Sequence, residues 1–217
     1  MTDQTGLVLL GNVIGSNRDS VGATVWLREL VAQLDEAYAA RHLAPFGFTQ
    51  GDELQGLLAP EADPIEAVLL AALGPEQRDM RWVAVRGPVD IDPGAGNAPA
   101  TERTGPAFVA AREAMAAARA AWDRLVIVTG QPEVDELLAD LCPALADLLE
   151  DLTGRQRLVA RLALIDDLRQ SEVADRLHVR RATISVSFSR ARIRSLQRLV
   201  AGVRRVYATG PRPQAAG

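Results

Sequence analysis

Residues 170–192 read QSEVADRLHVRRATISVSFSRAR. The stretch divides into two short helices set at an angle, the second of them exposed. Gln170, Ser171 and Glu172 open the first helix. Ser171 is its expected cap, because a hydroxyl there satisfies N–H groups that the helix leaves without partners. Val173, Ala174 and Leu177 are its apolar positions, His178 and Val179 make the tight connection, and Val179 returns to the core. The second helix starts near Arg181. Ile184, Phe188 and Ala191 recur at i, i+4 and i+7 and form its buried stripe. The other face carries Arg181, Thr183, Ser185, Ser189 and Arg190, with Arg180 at the cap position. This is the pattern of a helix-turn-helix, in which one helix positions and the second lays its polar face in the major groove. Double-stranded DNA is the expected partner, and Arg180, Arg181, Thr183, Ser185, Ser189 and Arg190 are the expected contacts.

Upstream, LTGRQ at residues 152–156 precedes the pair. The order L-T-x-x-Q, S-x-x-E-V-A-x-x-L and R-A-T-I-S resembles the DNA-binding region of sigma factors and related bacterial regulators. Two positions depart from that pattern: His178 stands where glycine is usual, and Arg180 where serine is usual. Charge separates the chain in the same way. Residues 155–217 hold 14 Arg and 4 acids, whereas residues 1–154 hold 10 Arg and 24 acids, so a net charge of −4 hides a basic segment on an acidic body. Local charge sets the attraction for phosphates.

The 217 residues suit one or two domains, and 48% apolar content supports a core. One cysteine, Cys142, excludes an internal disulfide framework, and His42 and His178 are the two imidazoles available for a metal. The N-terminus lacks the basic region of a secretory signal. The apolar run at residues 7–10 is too short to span a bilayer. A cytoplasmic protein without membrane contact is expected.

In chain order, residues 6–14 read as a buried strand and residues 23–41 as a helix. Residues 46–50 and 54–58 form a hairpin around Gly51, Asp52 and Glu53. Asp63 caps a helix with Pro64 in its first turn, running to residue 73. A strand at 80–89, a loop at 91–105, a helix at 106–121 and a strand at 123–128 follow. The order β-α-β-β-α-β, then α-β, predicts a ferredoxin-like sheet with helices on one face. The expected class is therefore α+β: a ferredoxin-like domain over 1–130, a helical linker over 131–152 and an all-α helix-turn-helix domain over 153–217. Trp26, Trp82 and Trp122 are expected in the core. Pro143 is expected to kink or split the leucine-rich linker.

Two N-terminal turns carry chemistry: LGNVIGSNR at residues 10–18 and GDELQG at residues 51–56. In a ferredoxin-like sheet they meet at one edge. Both resemble nucleotidyl and diguanylate cyclases, and more closely the SatD family, with G-D-I-[VI]-G-S-R, G-D-E-[FL]-Q-G and G-P-A-F-x-x-A-R; the last is GPAFVAAR at residues 105–112. The resemblance covers roughly residues 7–130. It implies a site in which strand-one and hairpin carboxylates hold metal ions on a triphosphate. It makes Asn12, Gly15, Ser16, Arg18, Asp52, Glu53 and Arg112 the residues expected around a purine nucleotide with Mg²⁺, with Asp52 as the metal ligand. Asn12 occupies the strand-one aspartate position, and an amide is a weaker ligand for a hard cation. Phe108 stands where the cyclase helix carries asparagine. Catalysis is therefore not expected. The expected function is a DNA-binding transcription regulator whose degenerate cyclase-like domain senses a nucleotide; the alternative is a divergent metal-dependent cyclase or nucleotide-processing enzyme. A homodimer reading two half-sites is expected, associating through residues 134–152 and through Ile193, Leu196, Leu199, Val200 and Val203.

Overall fold

A computed structural model describes residues 2–49, 51–91 and 96–210. Part of the expected loop at 91–105, the hairpin residue Gln50 and the end of the basic segment lie outside the described residues. The fold is α+β, with a mixed five-stranded sheet in the order β2-β3-β1-β4-β5. Its strands are β1 (Thr2–Val13), β2 (His42–Thr49), β3 (Glu53–Leu58), β4 (Met80–Ile91) and β5 (Leu125–Val128). β1 runs antiparallel to both β3 and β4, β2 antiparallel to β3, and β5 parallel to β4.

The apolar run at residues 7–10 sets how the sheet is covered. Successive side chains of a strand point to opposite faces, so an unbroken run makes both faces apolar. Leu7 and Leu9 join one buried cluster, and Val8 and Leu10 another. Helices α1 (Ser20–Ala37) and α2 (Pro64–Ala72) pack on the Leu7 face, while α3 (Pro106–Ala121) covers the Val8 face through Ala107, Phe108, Ala111, Met115 and Ala118. The expectation of helices on one face is corrected: a sheet apolar on both sides needs two covers.

Several boundaries differ from the sequence reading: β1 begins at Thr2, β4 runs on to Ile91 and β5 begins at Leu125. α1 begins three residues early because the Asp19 side chain accepts from the Gly22 N–H and caps it there, and it ends at Ala37. β2 begins at His42, with Pro45 inside the register shift between Ala44 and Gly47. An edge strand tolerates proline at such an irregularity because no ladder donor is lost. Trp122 is 82% exposed and closes α3 in a left-handed conformation, φ 64°, so it is not a core residue; Trp26 and Trp82 are.

The leucine-rich stretch forms α4 (Pro132–Glu150), one helix that continues through Pro143 and is not split. Val134, Leu138, Cys142, Leu145 and Leu149 are its buried face. That face packs on β5 and on α8 (Ile193–Thr209), whose Ile193, Leu196, Val200, Val203 and Tyr207 are buried in return. Burial pushes the Cys142 thiol up to about 12. The two stripes expected to join copies of the chain are thus largely spent on each other. Among the described residues, no helix is long and apolar enough to cross a membrane.

Between α4 and α8 lie α5 (Gly154–Leu164), α6 (Gln170–Arg176) and α7 (Arg181–Arg190). The LTxxQ stretch is a reciprocal cap. Thr153 Oγ1 accepts from the Gln156 N–H, and Gln156 Oε1 accepts from the Thr153 N–H at 2.8 Å. Ser171 does not cap α6. That helix begins at Gln170, and the Glu172 carboxylate reaches back to accept from the Arg169 N–H at 2.6 Å.

Candidate functional site

Two groups of sequence-predicted residues fall at two places in the fold. The first is the edge where β1 ends. Asn12 pairs in register with Glu53 on one side and Arg81 on the other. The Val13 N–H donates to the Asp52 carbonyl at 2.8 Å, and Asn12 Nδ2 donates to the same oxygen at 3.3 Å. Ser16 Oγ donates to Asp52 Oδ2 at 2.9 Å. The two motif turns therefore meet, held by an amide and a hydroxyl.

The carboxylates diverge there. Asp52 faces the β1 turn through Ser16, whereas Glu53 Oε2 faces α3 and lies 3.5 Å from Arg119 Nη2. Burial raises the pKa of Glu53; Arg119 and Arg112 oppose that shift and Asp52 adds to it. Arg112 is exposed and acts on Glu53 through its charge. Arg119 follows Arg112 at i+7 on α3, and strand register places Arg81 beside Asn12. Phe108 is 1% exposed and belongs to the core.

Gly15 turns the chain with φ 73°, Ser16–Arg18 form one 3-10 turn, and Arg18 is exposed. The N-terminus of α1 already holds an anion of its own: Asp19 accepts from Gly22 and is paired with Arg78, which lowers its pKa. A phosphate at that helix end would compete with Asp19. No group of three or more His, Cys, Asp or Glu residues is gathered for a metal among the described residues. With Glu53 turned to Arg119 and Asn12 donating an amide N–H, this donor set does not fit the two-metal centre that the resemblance implies.

The second place is α7. Ile184, Phe188 and Ala191 are buried, while Arg180, Arg181, Thr183, Ser185, Ser189 and Arg190 are exposed. His178 takes the turn between α6 and α7 with φ 52°, a left-handed conformation that glycine adopts without a Cβ penalty. Val179 packs back against the core. Residues 169–198 contain eight arginines and two acids. All eight arginines are exposed. None of them has a carboxylate partner among the described residues. Arg41, Arg78, Arg119, Arg124 and Arg204, by contrast, are paired with Asp or Glu. Sequence reasoning named three of the eight; Arg192 and Arg194, at the start of α8, stand beside α7 and were missed.

No protein-family model matches the chain, and no curated protein matches it.

Proposed function

We propose that the chain is a DNA-binding transcription regulator, with α6 and α7 as a helix-turn-helix and α7 as the helix that enters the major groove. The carrying observation is the set of eight exposed arginines without carboxylate partners around a helix whose apolar face is buried. A chain with 28 acids leaves these guanidinium groups to solvent. Such a surface is self-repelling and attracts anions, and duplex DNA presents a dense line of phosphates. In this reading Arg181, Thr183 and Ser185 face base edges, and Arg180, Ser189 and Arg190 position the helix.

The strand order and the pairing of β1 with β3 and β4 support a ferredoxin-like reading of residues 2–128. This unit serves as a sensor of the cyclase-like kind, and its diverging carboxylates argue for binding or signalling rather than catalysis. A nucleotide there would meet Arg18 and Arg112 rather than the α1 N-terminus, which Asp19 fills. The regulator acts as a homodimer on two half-sites, through a surface other than the α4 and α8 stripes.

The test is selection and sequencing of duplexes bound by the purified protein, then titration of the best one with Arg181→Ala and Arg190→Ala. Loss of a bidentate arginine–guanine pair costs about 1–3 kcal/mol at that base position. Loss of a phosphate contact weakens binding to all duplexes and lowers the salt slope by about one unit. Unchanged affinity and unchanged slope in both variants would remove α7 from the interface.

A further inference from the structure

Beside α7 lies a cleft of about 380 Å³. It is lined by Gln170, by Ser185, Phe188 and Ser189 of α7, and by Arg192, Arg194 and Ser195 at the start of α8. No carboxylate lines it. Arg192 and Arg194 are exposed and have no carboxylate partner among the described residues. The cleft shares Ser185 and Ser189 with the polar face assigned to DNA, so whatever occupies it lies alongside the duplex that α7 reads.

Two guanidinium groups with three hydroxyls, and no acid, suit an anion bearing several acceptor oxygens. Guanidinium binds phosphate oxygens in pairs, and hydroxyls donate to the remaining ones. The cleft opens to solvent rather than being an enclosed hole, as a sugar–phosphate strand requires. We infer that this cleft seats the phosphodiester backbone of the DNA flanking the bases read by α7, with Arg192 and Arg194 as the phosphate-binding residues and Ser195 as a third donor. The inference rests on the DNA-binding reading and deepens it, because it assigns the start of α8, outside the two-helix motif, to fixing the register of α7 on the duplex.

Contacts to the backbone carry no sequence information, whereas contacts to base edges do. The test uses the full chain and two probes, a selected duplex and a random duplex of equal length, titrated over a series of salt concentrations. Arg192→Gln and Arg194→Gln should each weaken binding to both duplexes by the same factor. Each should also lower the slope of log affinity against log salt by about one unit. Arg194→Lys, which keeps the charge, should keep the slope. Arg181→Ala, measured alongside, should act more strongly on the selected duplex than on the random one. An equal melting temperature for every variant ensures that lost binding is not lost folding. If the wild-type chain binds no duplex, the DNA-binding reading falls. If it binds and the glutamine variants keep affinity and slope, that reading stands and the phosphate seat is wrong. A loss confined to the selected duplex, with the slope unchanged, would also overturn the seat, since it would mean that these arginines read bases.

Discussion

Glu53 stands between burial, which favours its neutral form, and Arg119, which favours its ionised form. Burial is the larger influence, so its pKa lies above the ordinary 4.5. The folded chain then holds this proton more tightly than the unfolded chain does. The stability contributed is complete below the unfolded value and is lost as pH rises through the raised one. Glu53→Gln copies the protonated state and should gain stability relative to wild type as pH rises from about 4 to about 7. Melting temperatures across that range measure it. A variant that loses ground with rising pH would show that the Arg119 contact outweighs burial. His178 carries a different strain. Its φ of 52° costs a residue with a Cβ about 1 kcal/mol, and glycine pays a comparable entropy in the unfolded chain. His178→Gly should therefore match or exceed wild-type stability in urea titration, while the β-branched His178→Val should fall below it. A clear loss in the glycine variant would assign the exposed imidazole a contact of its own.

Among the elements, those with a strong period were legible and those fixed by a distant partner were not. The stripe of Ile184, Phe188 and Ala191 followed from spacing alone. α2 followed from Asp63 and Pro64, and the Asp63 carboxylate does accept from the Ile65 N–H at 3.0 Å. The glycines of the N-terminal motifs also have plain structural reasons. A Cβ on Gly56 would run into the Phe46 ring, and Gly105 combines φ 132° with the backbone of Val89 and Asp90. The motif spacing was thus readable, but part of it records packing rather than a ligand. The start of α6 was misread because Glu172, three residues into the pattern, caps it in place of Ser171. The meeting of Arg119 with Glu53 was invisible, since it depends on α3 crossing the other face of the sheet. The LTxxQ cap can be tested directly. Thr153→Ala removes one half of the reciprocal pair and should cost about 1 kcal/mol, within roughly 0.5–2. Gln156→Ala should add less on top of it than it costs alone, because each side chain holds the other in place. Full additivity in the double variant would mean that the two bonds act separately.

At the scale of the whole molecule, the expected linker has a different physical character. One buried cluster runs from Leu7 and Leu9 in the sheet, through Leu138 and Leu145 of α4, to Ile184 and Phe188 of α7 and Leu196 of α8. The far end of α8 returns to the sheet side. Arg204 Nε donates to Asp63 Oδ2 at 2.7 Å, Tyr207 Oη to the Pro60 carbonyl at 3.2 Å, and the Arg86 guanidinium lies 4.1 Å over the Tyr207 ring. Removing residues 153–210 would expose the face of α4 that packs on α8 and leave Asp63 without its arginine. The chain should therefore unfold in one transition. Trp26 and Trp82, buried in the sheet half, report on that half by fluorescence; far-UV circular dichroism weighs the helical half. The two curves should coincide in urea. Leu138→Ala, at a site with 0% exposure where α4 meets the shared core, should cost about 2–5 kcal/mol and move both curves together. Two calorimetric peaks, or a Leu138→Ala shift confined to one probe, would show two independent folding units. In that case a signal bound at the β1 edge would have no rigid route to α7.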